Sequence, residues 1–146
     1  MTRPSPYRRF WILVLVAVSI PLALAIETLA RRLFFPPEFE ELRTWLRPVL
    51  TPWVWACAPL ALLAGIFALT LQPRIHARAL ARVRPGVPDP LARADTEALM
   101  VCSSIAQLPA LAAMFGFMFG AALAPTLAAI AAGTAGVLLQ ALRRSG

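Results

Sequence analysis

The stretch ALMVCSSIAQLPALAAMFGFMFGAALAPTLAAIAAGTAGVLLQAL, residues 98–142, decides the fold. It carries no charged residue, and only Ala124 and Pro125 break its run. A helix needs about 20 apolar residues to cross a ~30 Å hydrocarbon layer. The stretch therefore reads as two spans, 98–123 and 125–142, joined so tightly that they must be antiparallel neighbours. Working outward, residues 52–71 are likewise uncharged and residues 10–29 are uncharged apart from Glu27. The expected fold is an all-α integral membrane protein, a four-helix transmembrane bundle forming one domain over residues 1–146. Composition agrees: 60% of residues are hydrophobic and 14% charged, where a soluble chain carries about 25% charged residues.

All 14 basic residues are arginine, and their distribution orients the bundle. Arg3, Arg8 and Arg9 precede span one; Arg74, Arg78, Arg82, Arg84 and Arg93 lie between spans two and three; Arg143 and Arg144 follow span four. Arg31, Arg32, Arg43 and Arg47 lie between spans one and two, beside Glu38, Glu40 and Glu41. With both termini inside, the inner side holds ten arginines and the outer side four. The positive-inside rule then puts both termini in the cytoplasm, in what is read as a bacterial cytoplasmic membrane. The net charge of +7 serves orientation and anionic lipid rather than nucleic acid, since no aromatic-and-basic surface accompanies it. A competing reading treats the basic start, the apolar run and Ala23, Leu24 and Ala25 as a signal peptide with an A-x-A cleavage site. Three spans would then remain, with the mature N-terminus outside. Helix-compatible residues continue past Ala25, which favours a retained span.

Prolines punctuate the spans. Ser5 and Pro6, Thr51 and Pro52, and Asp89 and Pro90 each place a capping side chain before a proline, so helices are expected to begin there. Pro21, Pro59 and Pro109 fall inside spans and free the carbonyls of Ala17, Trp55 and Ile105, so three kinked helices are expected. The polar connections are themselves periodic. Residues 36–47 place Phe39, Leu42, Trp45 and Leu46 on one side and read as a short outer-surface helix, with Trp45 and Trp53 at headgroup level. Residues 73–83 read as an inner-surface helix on which Arg74, Arg78 and Arg82 form a stripe opposite Ile75, Ala79 and Val83, ended by Arg84, Pro85 and Gly86. Arg74, Arg78, Arg82 and Arg84 are the expected contacts with anionic lipid.

Within the spans, few residues can carry chemistry. Glu27 is the one ionisable candidate, and Arg31 follows four residues later on the same face. An interfacial ion pair is the expected arrangement. A cation or proton site is the alternative, since Glu27 resembles the first-helix glutamate of small four-helix multidrug exporters. Span three is the most polar: Cys102, Ser103, Ser104 and Gln107 lie within two turns. At about 100° per residue, Ser103, Gln107, Met114 and Met118 share a face, and Ala112, Gly116 and Gly120 form the opposite, small-residue face suited to helix packing. Span three is therefore the expected central helix.

The run AQLPALAAMFGFMFGAAL resembles the ion-carrying helix of rotary ATPase c-type subunits over residues 105–123. The carboxylate of that helix falls here on Ala106 or Gln107, and an amide releases no proton, so proton carriage by that mechanism is excluded. Cys57 and Cys102 differ in expected depth by about 14 Å at 1.5 Å per residue, beyond the ~7 Å that a disulfide bridges. Both are expected to remain thiols. His76 has no second ligand nearby in sequence, and no hydrolase, metalloprotease or nucleotide-binding motif occurs. No enzyme activity, cofactor or metal is expected. The expectation is a non-catalytic accessory or structural subunit whose partners are membrane lipids and either further copies of itself or a larger membrane protein. A small oligomeric transporter or channel, resting on Glu27, Gln107 and the mid-span prolines, is the alternative.

Overall fold

The computed structural model describes residues 6–82 and 89–142, with side chains for 10–82 and 89–140. Four helices make up these residues: α1 (Pro6–Phe34), α2 (Pro37–Arg82), α3 (Pro90–Met118) and α4 (Leu123–Leu142). All four are long and apolar enough to cross a membrane. They run up, down, up and down. Gln107 on α3 meets Val16 on α1, Gly65 on α2 meets Gly136 on α4, and Gln140 on α4 meets Cys102 on α3. The last contact confirms α3 and α4 as antiparallel neighbours.

The short surface helices are not separate. Residues 36–47 and 73–82 are the two ends of α2, which continues unbroken through Pro48, Pro52, Pro59 and Pro73 for 46 residues. Pro52, expected to open a helix, sits inside one. Each proline costs one backbone hydrogen bond, and a packed helix tolerates that where neighbours hold it in place. Here both ends of α2 are tied to α3: Arg43 reaches the carbonyls of Phe117 and Met118, and His76 Nε2 lies 3.4 Å from Asp95 Oδ1. The facial pattern read in residues 73–83 survives as part of α2, with Arg74, Arg78 and Arg82 exposed, Ala79 buried and Ile75 half-buried. Arg84, Val83, Pro85, Gly86 and Ser5 lie outside the described residues.

α3 is the most buried helix, closely followed by α4. Half of its most apolar window is buried, against 44% for α4, 22% for α2 and 17% for α1. Asp89 caps its start as expected, accepting from the Ala92 amide at 3.2 Å with Pro90 in the first turn. Its end differs from expectation. The helix stops at Met118, and Gly120 takes φ 120° while its amide donates to Phe117 and that of Ala121 to Gly116. This is a Schellman turn, in which a glycine past the helix end adopts a backbone closed to other residues. Gly120 thus terminates the helix rather than extending a packing face along it, and α4 begins at Leu123.

Small side chains let helix backbones approach closely. Such residues line the contacts of this bundle. Ala61, Ala68, Ala94, Ala106, Ala113 and Ala129 are fully buried. At the α2–α4 crossing a Cβ on Gly65 would stand 3.0 Å from Gly136 Cα, so the two backbones touch. A Cβ on Gly133 would stand 3.1 Å from Ala110 Cβ.

Candidate functional site

The most concentrated polar chemistry lies at the end of the bundle where α1 turns into α2 and α3 into α4. The centre is Arg43, only 6% exposed. Its Nε donates to Met118 O at 3.0 Å and one terminal nitrogen to Phe117 O at 2.8 Å. These are carbonyls of the last turn of α3, which lack helical partners and carry the negative end of the helix dipole. The other terminal nitrogen donates to both Glu40 carboxylate oxygens at 3.1 Å. Arg47 Nε points to Gly120 O at 3.5 Å. The fit is close: a Cβ on Gly120 would collide with the Arg43 backbone.

Arg31 joins from α1. Its guanidinium lies 5.0 Å from the Phe117 ring centre and that of Arg43 lies 5.4 Å from the same ring. Such cation–π contacts help hold two like charges near one another. Arg31 Nε is also 3.9 Å from Glu27 Oε1 and 3.9 Å from Glu40 Oε1. Arg31, Arg32, Glu40, Arg43, Arg47 and Phe117 line an open cleft of about 470 Å³. Four guanidiniums thus share one carboxylate on the cleft wall, with Glu27 beside Arg31 outside it. Among the described residues, neither Arg32 nor Arg47 has a carboxylate within ion-pair distance.

The expected intramembrane residues are distributed differently. Glu27 and Arg31 each retain 12% side-chain exposure and face one another, and Glu27 Oε2 is buried with no hydrogen bond among the described residues. Gln107 is buried and donates from Nε2 to Val16 O at 2.8 Å, fastening α3 to α1. Ser103 and Ser104 do not join it; both hydroxyls donate to Met100 O within their own helix, at 3.1 and 2.8 Å. On the opposite face, a Cβ on Gly116 would collide with the Val54 side chain, so that position packs α3 against α2. Ala112 is exposed. The buried small residues of α3 are Ala106, Ala110 and Ala113 instead, and the first two lie against Gly136 and Gly133 of α4, closer to the Gln107 side than simple helical spacing suggests. Cys57 is half-buried and Cys102 buried, in separate clusters, and both are free thiols.

Three features escaped the sequence. Arg43 stands in the sequence as one of four arginines between spans one and two, and its carbonyl acceptors lie 74 and 75 residues away in the chain. Gln72 and Gln140 are buried, and the Oε1 of each has no hydrogen bond among the described residues. Their signal was present, since a glutamine in an apolar run is what drew attention to Gln107, but both fall at span ends. His76 finds its partner Asp95 only because α2 extends past the apolar run. Compared with known proteins, the chain matches no protein family, no curated protein and no solved structure, so these residues are the basis for any functional reading.

Proposed function

We propose that this chain is a non-catalytic accessory or structural subunit of a membrane, packing with further copies of itself or with a larger membrane protein. The observation that carries this reading is the use made of the buried polar side chains. Gln107 ties α3 to α1, Gln140 Nε2 ties α4 to α3 through Cys102 O at 3.3 Å, and Arg43 ties α2 to the end of α3. Groups that would line a solute path serve as struts between helices. The backbone contact of Gly65 with Gly136 closes the α2–α4 seam where such a path would pass. The hydroxyls of Ser103 and Ser104, turned onto their own helix, support the absence of nucleophilic catalysis. The low burial of α1 and α2 leaves long apolar faces for lipid or a partner helix.

One set of observations favours the alternative of a small oligomeric transporter or channel: Glu27 Oε2, Gln72 Oε1 and Gln140 Oε1 are buried acceptors without donors among the described residues. The ten-to-four arginine distribution supports both termini in the cytoplasm.

Two measurements separate the readings. Protein purified from its membrane in mild detergent is expected to migrate as an assembly larger than one chain. Reconstituted alone in proteoliposomes, it is expected to carry neither protons nor potassium. A flux abolished by Gln107→Leu at unchanged thermal stability would replace the subunit reading with the transporter.

A further inference from the structure

We infer that the arginine cleft between the α1–α2 turn and the end of α3 binds the phosphate of an anionic lipid headgroup. The cleft presents Arg31, Arg32, Arg43 and Arg47, and Glu40 is the one carboxylate on its wall. Glu40 is already held by Arg43 at 3.1 Å and lies 3.9 Å from Arg31. Glu27, 3.9 Å from Arg31, balances the single charge of that guanidinium. Two guanidinium charges therefore remain without a carboxylate, those of Arg32 and Arg47, and both side chains are exposed. A guanidinium is a planar fork of donors that matches a phosphate with two parallel hydrogen bonds, and it carries charge at every relevant pH.

One wall is fixed in advance of any ligand. Arg43 is anchored on two carbonyls and Arg31 and Arg43 rest on Phe117, so only the exposed Arg32 and Arg47 side chains are left to be ordered when an anion enters. The surroundings select a lipid over a free anion. The residues next to the cleft in the chain, Leu33, Phe34 and Trp45, are large, apolar and exposed. An acyl chain can lie along them while its phosphate enters the cleft, and exposed tryptophan is characteristic of headgroup depth. The site is distinct from the Arg74, Arg78 and Arg82 stripe, which lies at the opposite end of α2.

The inference rests on the four helices crossing a bilayer, so incorporation of the purified chain into phosphatidylcholine nanodiscs is checked first. A chain that stays in solution without lipid overturns both. The test itself is native mass spectrometry of detergent-purified protein titrated with phosphatidylglycerol, phosphatidylcholine or inorganic phosphate. Phosphatidylglycerol is expected to bind in preference to phosphatidylcholine, and added inorganic phosphate is expected not to displace it at equal concentration. Arg32→Gln with Arg47→Gln is expected to weaken phosphatidylglycerol binding about 25-fold, from about fivefold for each arginine. Arg93→Gln, at an exposed arginine outside the cleft, is expected to change it less than threefold, a bound set below the ~fivefold of one arginine. Arg32→Gln alone, at an exposed position with no structural hydrogen bond, still reports about fivefold if the double variant misfolds. Equal losses from Arg32→Gln and Arg93→Gln would mean diffuse surface attraction and overturn the site. Displacement by inorganic phosphate at equal concentration would identify a free anion as the ligand and overturn the lipid.

Discussion

Two seams hold α2 in the bundle, and they work by different physics. At the crossing with α4, Gly65 and Gly136 bring two backbones into contact, and the attraction is dispersion between closely fitted surfaces. At the end of α3, Arg43 threads a guanidinium onto carbonyls that the helix itself cannot satisfy, with Gly120 clearing the space for its backbone. The first seam tolerates small errors, because a displaced helix loses contacts gradually. The second is directional. A turn that is rotated, or an arginine that is missing, leaves charged or polar groups unpaired at once. The difference suggests that the arginine-and-glycine turn fixes the register of α2 on α3, and that the small-residue crossing then sets how near α2 and α4 lie.

The sharpest way to break this comparison is Gly120→Ala. It adds a Cβ both to a backbone at φ 120° and to space filled by Arg43. Backbone strain and overpacking each cost about 1–3 kcal/mol, so this substitution is expected to lower thermal stability in detergent the most, by about 3–5 kcal/mol. Arg43→Met comes next, at about 2–4 kcal/mol, because two carbonyls lose charge-assisted hydrogen bonds. The double variant is expected to fall short of the sum of the two, since both disrupt one turn. Strict additivity would show that the two residues do not act together. Gly65→Leu and Gly116→Leu follow at about 1–3 kcal/mol through overpacking. If either exceeds Gly120→Ala, the order of the two seams is reversed.

Smaller effects sharpen the picture. Gln107→Leu removes one hydrogen bond of a kind averaging about 0.6 kcal/mol in membrane proteins, and equilibrium unfolding should rank it below both glycine-to-leucine variants. Gln140→Leu is expected to be nearly neutral, because it removes an unpaired buried oxygen along with the bond to Cys102. A loss above about 2 kcal/mol would mean that Gln140 Oε1 has a partner.

Helix number, order and the burial of α3 were legible because they depend on apolar length and local polarity. Legible too was the Asp89 cap, whose donor lies three residues away. The extent of α2 was not. Its prolines and charged ends are ordinary stop signals locally, and the contacts that override them come from α3, in Arg43 with Phe117 and Met118 and in His76 with Asp95. Gly120 was legible in principle, as a glycine is the commonest residue just past a helix end. The apolar residues around it concealed this by extending the run to Leu123. All four arginines of the cleft lie within residues 31–47, and what no local window shows is the end of α3, where Phe117 and the carbonyls of Phe117 and Met118 hold two of them in place.

The distance along the chain between Arg43 and Met118 has a consequence for how the protein is made. At about 5–20 residues per second, the acceptor carbonyl of Met118 is synthesised about 4–15 s after the arginine that will occupy it, because 75 residues separate them. Through that interval the nascent chain holds a guanidinium whose carbonyl partners on α3 do not yet exist. Glu40, three residues earlier on the same helix, is available from the start and can neutralise it while it waits. The carboxylate that shares the cleft in the finished bundle is in this sense the arginine's first companion during synthesis, and the end of α3 its second.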